Sequence, residues 1–220
     1  MTVTSLFDLS RTLAGEYLSK FTYPWQAVKG IKDFVWGLCV RLDRQEFVET
    51  APMVLVHKSA KISPSAYLCA PSIIGSGTEV RHCAFIRGGV LVGENCVVGN
   101  STELKNAILF DGVQVPHFNY VGDSVLGYKA HLGAGAITSN VKSDKTSVKT
   151  VCGGEVLDTG LRKLGAMLGD GAEVGCNAVL NPGAVIGRNT IIYPLSCVRG
   201  EVAADSVFKG RGCVCRRRGD

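Results

Sequence analysis

Residues 115–127, VPHFNYVGDSVLG, place a histidine and a tyrosine three positions apart in a stretch that otherwise contains mostly apolar and small residues. His117 follows the aliphatic Val115 by two positions. In the repeating coil described below, this spacing predicts that its side chain projects outward where one strand ends and the chain turns. Imidazole is the side chain that exchanges a proton most readily near neutral pH. The chain therefore presents His117 as a candidate acid–base group, with Tyr120 beside it.

Several cations accompany this histidine. Arg87 and Lys105 are spaced about one coil apart, His117 falls on the next coil, and with Tyr120 they are predicted to line one groove. Asn140 and further lysines lie in a segment that interrupts the repeat: Lys142, Lys145 and Lys149. A titratable imidazole near several cations suits a phosphorylated substrate. The alternative is that each of these groups is an ordinary solvated surface charge.

The elements that must position these residues follow from a period of six. Aliphatic residues recur at this spacing, with two five-residue steps: Val56, Ile62, Leu68, Ile74, Val80, Ile86, Val92, Val98, Leu104, Leu109, Val115, Val121, Leu126 and Leu132, and again from Leu168 to Val198. A small residue precedes most of them by two positions, as Ala66 precedes Leu68. Both positions are predicted to point inward.

Period six fits neither a helix nor a flat sheet, but it fits a coil with three flat faces. Each face is a short strand, two residues turn the corner, and equivalent residues recur about every 18 positions. Hydrogen bonds then run between coils as in a parallel sheet. The sequence therefore predicts an all-β fold, a single-stranded parallel β-helix over residues 51–210.

Two segments break the pattern. Residues 1–50 space apolar side chains helically and are predicted to form a helical segment that caps the open end of the coil. Residues 139–167 are predicted to insert a loop with a hairpin around Gly153 and Gly154, where function often gathers. Residues 211–220 form a basic tail with Arg216–Arg218, expected to be solvated.

The composition excludes several classes of protein. Nine cysteines at irregular spacing indicate reduced thiols and a cytoplasmic location. The net charge is +5, but basic residues do not interleave with aromatic ones, so nucleic acid is not an expected partner. No apolar run is long enough to span a membrane, and the first residues do not resemble a signal peptide. No metal site is predicted, since Cys213 and Cys215 lack a second pair.

The residues GNSTELKNAILFDGVQVPHFNYVGDSVLGYKAHLGAGAITSN resemble the acetyltransferase domain of bacterial bifunctional glucosamine-1-phosphate acetyltransferase/N-acetylglucosamine-1-phosphate uridyltransferase. The stretches TSNVKSDK and TGLRKLGAMLGDGAEVGCNAVLNPGAVIG are similar to the C-terminal domain of archaeal bifunctional sugar-1-phosphate nucleotidylyltransferase/amino-sugar acetyltransferases. The resemblance covers about residues 56–210. It implies a left-handed coil and a homotrimer. Residues 1–50 are too few for a nucleotidylyltransferase domain, so no pyrophosphorylase activity is expected from this chain.

The resemblance also implies roles. His117 is the expected general base, and acetyl-CoA the expected co-substrate for acetylation of an amino-sugar phosphate. The sugar phosphate is expected to be held by Arg87, Lys105, Tyr120, Asn140 and Lys145. The backbone of Ala134 is expected to face the oxyanion, with coenzyme A near Ala178 and Ser196 and its phosphates near Lys209 or Arg211. The chain has His131 where relatives often have Asn, Gly88 where Pro is usual and Pro116 where Gly is common.

Two alternatives remain open. The first is a non-catalytic sugar-nucleotide-binding or scaffold module related to sugar-1-phosphate nucleotidylyltransferases. The other alternative is a β-helical carbonic anhydrase, which needs three histidines on zinc. The four histidines, His57, His82, His117 and His131, show no close pair of the required spacing.

Overall fold

The computed structural model describes residues 1–210 and 213–217, so Arg211 and Arg218 lie outside the described residues. In chain order the strands are β1 (Phe47–Ala51), β2 (Val54–His57), β3 (Lys61–Ile62), β4 (Tyr67–Leu68), β5 (Ser72–Ile74), β6 (Glu79–Val80), β7 (Phe85–Ile86), β8 (Val90–Val92), β9 (Val97–Asn100), β10 (Glu103–Leu109), β11 (Gln114–His117), β12 (Tyr120–Leu126), β13 (His131–Leu132), β14 (Ile137–Thr138), β15 (Lys149–Cys152), β16 (Glu155–Asp158), β17 (Ala166–Leu168), β18 (Glu173–Val174), β19 (Val179–Leu180), β20 (Ala184–Ile186), β21 (Ile191–Ile192), β22 (Cys197–Val198), β23 (Glu201–Val202), β24 (Ser206–Phe208) and β25 (Val214–Arg216).

The strands wind into the three-sided coil that the hexads predict. The first face consists of β2, β5, β8, the second halves of β10 and β12, β17, β20 and β23. The second face consists of β3, β6, β9, β11, β13, β18, β21 and β24, and the third of β4, β7, the first halves of β10 and β12, β14, β19 and β22. All pairings within a face are parallel, and the left-handed parallel β-helix is confirmed.

Register follows the sequence spacing. Val54 pairs with Ser72 and Ser72 with Val90, an advance of 18 residues per coil. The five-residue steps shorten two later coils to 17 residues, as the pairing of Val90 with Ala107 and of Ala107 with Ser124 shows. Leu126 pairs with Leu168 across the insertion, whose hairpin β15–β16 turns at Gly153 and Gly154 as expected. Since β17 begins at residue 166, the inserted loop ends before the residue 167 that the sequence suggested.

The N-terminal segment lies along the coil and not over its end, which corrects the expected cap. It contains α1 (Val3–Leu6), α2 (Gly15–Leu18) and α3 (Ile31–Arg41), with 3₁₀ helices at Leu9–Arg11 and Pro24–Gly30. Helix α3 packs on β5, β8 and β10 of the first face, and Leu6 accepts a hydrogen bond from Asp170 several coils further on. The segment is helical only to residue 41, because 47–51 form β1.

The reason for this placement is the outward side of the first face. In each three-residue unit of this face the first and third residues point inward, so the middle residue points away from the interior. These middle residues are nevertheless buried: Leu55, Ile73, Leu91, Ile108, Val125, Met167 and Val185. Burying such side chains stabilises the protein by about 1.5–3 kcal/mol each, which makes the segment part of the core.

Antiparallel strands close both ends of the coil. Strand β1 pairs with β2 before the first coil, and β25 pairs with β24 after the last. Part of the predicted basic tail is therefore a strand, in which Arg216 pairs with Ser206. Among the described residues no helix is long and apolar enough to cross a membrane.

Candidate functional site

His117 ends β11 at the corner between the second and third faces, and its side chain is exposed. Within the described part of the chain its imidazole makes no hydrogen bond, while its backbone carbonyl accepts one from Gly135. The next residue, Phe118, has a φ of 50° and is 62% exposed. This left-handed residue turns the corner and directs the histidine outward.

Asn119 holds this corner in place, although the sequence reading gave it no role. It is buried, and its side-chain amide donates to the carbonyls of Gly133 at 2.8 Å and Ala136 at 3.0 Å in the next coil. Its Oδ1 accepts the backbone N–H of His117 at 3.1 Å. The available signal was a polar residue two positions before Val121, where the repeat normally has a small inward residue.

Ala134 occupies the position equivalent to His117 one coil later, since Gln114 pairs with His131. Its carbonyl accepts a hydrogen bond from Asn177, and its N–H donates to no acceptor among the residues that the structure describes. A backbone donor beside an exposed imidazole is the arrangement expected for a group that faces developing negative charge.

Asp123 organises the opposite corner, between the third and first faces. The carboxylate is 3% exposed and accepts from Lys105 Nζ at 2.9 and 3.0 Å, from Asn106 Nδ2 at 2.9 Å and from Asn140 Nδ2 at 2.6 Å. Lys105 and Asn106 belong to the coil before Asp123, and Asn140 belongs to the coil after it. A buried carboxylate is tolerated here because one cation and two amides satisfy it.

Tyr120 leans towards the Asp123 corner. A Cβ on Gly122 would come within 2.5 Å of the Tyr120 hydroxyl, so glycine at this position makes room for the ring. The hydroxyl accepts from Asn140 Nδ2 at 3.1 Å. Burial, followed by the nearby charges of Asp123 and Glu103, raises the pKa of Tyr120 above its ordinary value. The hydroxyl therefore stays protonated and can donate to a ligand.

Arg87 lies at the same corner one coil before Lys105, and its guanidinium donates to Glu103 at 2.7 Å. The structure thus brings together four of the predicted residues, Arg87, Lys105, Tyr120 and Asn140. His117 is at the other edge of the third face. His117 and Asp123 are six positions apart in the chain, so their Cα atoms are at most about 22 Å apart.

Comparison with known proteins gives a consistent assignment. A family model described as the GMPPB C-terminal domain matches residues 50–157. A bifunctional sugar-1-phosphate nucleotidylyltransferase/acetyltransferase of Sulfurisphaera tokodaii is 32% identical over 75% of this chain and 41% of its own length. The bifunctional protein GlmU of Methanococcus maripaludis is 30% identical over 72% of this chain and 39% of its own.

The chain is a hexapeptide-repeat protein. It resembles these bifunctional proteins and spans about two fifths of their length. Among solved structures, the acetyltransferase domain of PglB from Neisseria gonorrhoeae in complex with acetyl coenzyme A covers 70% of this chain and 52% of its own. That match has 16% identity and a TM-score of 0.33.

The other residues predicted from the resemblance lie elsewhere in this hexapeptide-repeat protein. Ala178 and Ser196 occupy inward positions of the wall, and the backbone N–H and carbonyl of Ala178 are bonded to Gly175 and Ile137. The side chain of Ala178 therefore cannot contact a ligand outside the coil. Lys209 is exposed beside the β24–β25 turn, and Arg211 lies outside the described residues.

Two lysines of the inserted loop, Lys142 and Lys145, have different surroundings. Lys145 is exposed with a φ of 57°. Lys142 instead lines a cavity of about 290 Å³ with Asp144, Asn181 and Arg199, beside Asn140. Lys142 also contacts Asp144 at 3.2 Å, so its charge is partly compensated.

The remaining histidines have structural partners. His57 bonds Ser59, His82 bonds Ser65, and His131 contacts Glu173 at 2.8 Å on the second face. In the part of the chain that the structure describes, no three His, Cys, Asp or Glu side chains converge on a point that could hold a metal ion. The geometry offers no support for a three-histidine zinc site.

Proposed function

We propose that this protein transfers an acetyl group from acetyl-CoA to the amino group of an amino sugar, with a hexosamine 1-phosphate (glucosamine or galactosamine) as acceptor. The observation that carries the proposal is the exposed, unbonded imidazole of His117 beside the backbone N–H of Ala134. A sequence relative named bifunctional sugar-1-phosphate nucleotidylyltransferase/acetyltransferase supports the choice of a phosphorylated sugar as acceptor.

His117 acts as the general base in this proposal. It takes a proton from the sugar amino group as the nitrogen forms a bond to the thioester carbonyl carbon. The carbon–sulfur bond then breaks, and the leaving coenzyme A thiolate accepts a proton from the imidazolium. Because the imidazole has no partner among the described residues, it is free to receive and return this proton.

The remaining groups supply charge complementarity. The N–H of Ala134 donates to the oxygen that becomes negative as the amine attacks, as in other acyl transfers. Arg87 and Lys105 hold the phosphate, and the Tyr120 hydroxyl and Asn140 orient the sugar. Lys145 contributes a further cation from the inserted loop. Coenzyme A lies along the corner beyond Ala134, past Ser196, with its phosphates towards Lys209.

We further propose that the active form is a homotrimer located in the cytoplasm. The exposed apolar side chains Tyr67 and Phe85 lie on the third face, Phe118 stands at its edge next to His117, and Leu195 stands at the same edge three coils further on. Such a patch suits an interface between copies. The free cysteines are compatible with a reducing compartment.

The test measures thiol release from acetyl-CoA with glucosamine 1-phosphate or galactosamine 1-phosphate. We expect turnover by the wild type and a loss of at least about 100-fold in kcat for His117→Ala. His57→Ala, which changes a histidine outside the site, is the matched control and should keep wild-type kcat.

Two results would count against the proposal. Wild-type protein that binds hexosamine phosphates without releasing thiol would favour the non-catalytic binding or scaffold module. Full activity in His117→Ala would remove the general base from the mechanism.

A further inference from the structure

A basic cavity of about 360 Å³ lies at the Asp123 corner, where the N-terminal segment meets the coil. Arg87, Lys105 and Asn106 line it from the coil, and Lys29 and Lys32 line it from the N-terminal segment. The two sets of cations are far apart in the sequence, and only the lengthwise packing of the segment on the first face brings them together.

Contacts with the coil fix the positions of both lysines. Asn106 Nδ2 donates to the carbonyl of Val28 at 3.1 Å, directly before Lys29. A Cβ on Gly89 would lie 3.4 Å from the Cβ of Lys32, so the start of α3 sits against this glycine. The cavity is therefore a built part of the fold, and the exposed ammonium groups extend from anchored backbone.

The charges in the cavity are not balanced. Glu103 pairs with Arg87, and Asp123 pairs with Lys105. Lys29 and Lys32 form no ion pair within residues 1–210 and 213–217. Two uncompensated cations next to two compensated ones match an anion with about two negative charges, which is the charge of a phosphate monoester or a sugar diphosphate.

We propose that Lys29 and Lys32 bind the phosphate group of the acceptor together with Arg87 and Lys105, so that the N-terminal segment forms one wall of the acceptor site. The identity of the ligand rests on the proposed function. The shared chemistry is a phosphorylated sugar, either a hexosamine 1-phosphate or a nucleoside diphosphate-linked amino sugar. Because the third face lies between His117 and the cavity, the test includes both the shorter sugar monophosphate and the longer nucleotide-linked sugar.

The experiment uses the full chain and measures affinity by calorimetry. Lys29→Met and Lys32→Met together remove both charges and keep most of the aliphatic length. Lys58→Met with Lys61→Met is the control, because it makes the same charge change at exposed positions away from the cavity. The ligands are inorganic phosphate, glucosamine 1-phosphate, a UDP-linked hexosamine and uncharged glucosamine.

We expect the Lys29/Lys32 variant to bind the phosphorylated ligands about 5- to 30-fold more weakly, from two exposed ionic contacts of about 0.5–1 kcal/mol each. Affinity for glucosamine should not change, and Lys29→Arg with Lys32→Arg should restore phosphate binding. The phosphorylated ligand that shows the larger loss identifies the acceptor class. In the thiol-release assay the variant should raise KM and leave kcat within about twofold.

The inference is overturned if the Lys29/Lys32 variant binds all phosphorylated ligands like wild type, or if the control pair weakens them equally. Its failure differs from failure of the proposed function. Lysine-dependent phosphate binding without any thiol release would refute the acetyltransferase and keep the anion site. Thiol release with unchanged KM in the Lys29/Lys32 variant would keep the acetyltransferase and refute the anion site.

Discussion

Asp123→Asn should destabilise the protein strongly, because the carboxylate is the buried acceptor for three side chains. This substitution removes the negative charge without adding backbone strain. Asp123 has a φ of 50°, and Asn106, its equivalent one coil earlier, has a φ of 49°, so asparagine suits this left-handed position. After the substitution one oxygen remains to accept, and the new amide N–H groups face the donor of either Asn106 or Asn140, because these two side chains bind different oxygens.

The magnitude follows from the contacts of Lys105. Removing one partner of a buried ion pair costs about 3–5 kcal/mol. The Lys105 side chain is 26% exposed, so water recovers part of this cost and we expect a loss of about 2–3 kcal/mol in the free energy of unfolding. For a chain of this size that corresponds to a fall of about 4–12 °C in Tm.

The assay is urea unfolding of wild type, Asp123→Asn, Lys105→Met and the double variant. In the Lys105→Met background, Asp123→Asn should cost at least about 1 kcal/mol less, because no cation is left unpaired. Asp144→Asn removes an exposed carboxylate and should leave Tm unchanged. A loss below about 0.5 kcal/mol for Asp123→Asn, or strictly additive losses in the cycle, would refute the assignment of Asp123 as the organising acceptor.

Two further predictions concern the coil. Burial raises the pKa of the Cys96 thiol from 9.0 to about 12. The unfolded chain therefore ionises this thiol first, so stability is complete below pH 9 and falls by up to about 1.4 kcal/mol per pH unit as the pH rises towards 12. Urea unfolding from pH 8 to 10.5 should show a shallower fall for Cys96→Ala, and parallel curves would contradict this. Gly99→Ala should unfold the coil or cost more than about 3 kcal/mol, because its Cβ would lie 1.6 Å from the carbonyl oxygen of Pro116. Gly37→Ala in α3 meets nothing within 4 Å and should gain about 0.5–1 kcal/mol; equal Tm shifts for the two variants would refute the steric argument.

The inward positions of the coil were predictable because the same residue type recurs at equivalent positions of successive coils. A residue such as Ile74 or Val92 stacks on its equivalents, so a single sequence shows the period directly. The position of the N-terminal segment was predictable in principle but was missed. The outward residues Ile73, Leu91 and Ile108 are apolar in successive coils of the same face, and only a covering element explains this pattern.

The polar organisers of the site were harder to predict. Asp123 follows Gly122 in a motif that the sequence displays, but its partners come from residues 17 or 18 positions away on either side. Assigning them requires the five-residue steps to be placed correctly, since a one-residue error in register moves a side chain to another face. Asn119 looked like an irregularity in the repeat, and its role emerges only from the carbonyls of the following coil.

Asn106 links the packing of the N-terminal segment to the chemistry of the corner. The Asn106 amide nitrogen donates one hydrogen to the carbonyl of Val28 and its other hydrogen to Asp123. The N-terminal segment and the carboxylate therefore hold the same side chain through separate hydrogen bonds. A shift of the segment would turn this amide and remove a donor from Asp123. Because Asp123 also holds Lys105 and Asn140, such a shift would change the positions of two groups that we propose bind the acceptor. The apolar burial that fixes the segment on the first face therefore also fixes the geometry of the cationic corner.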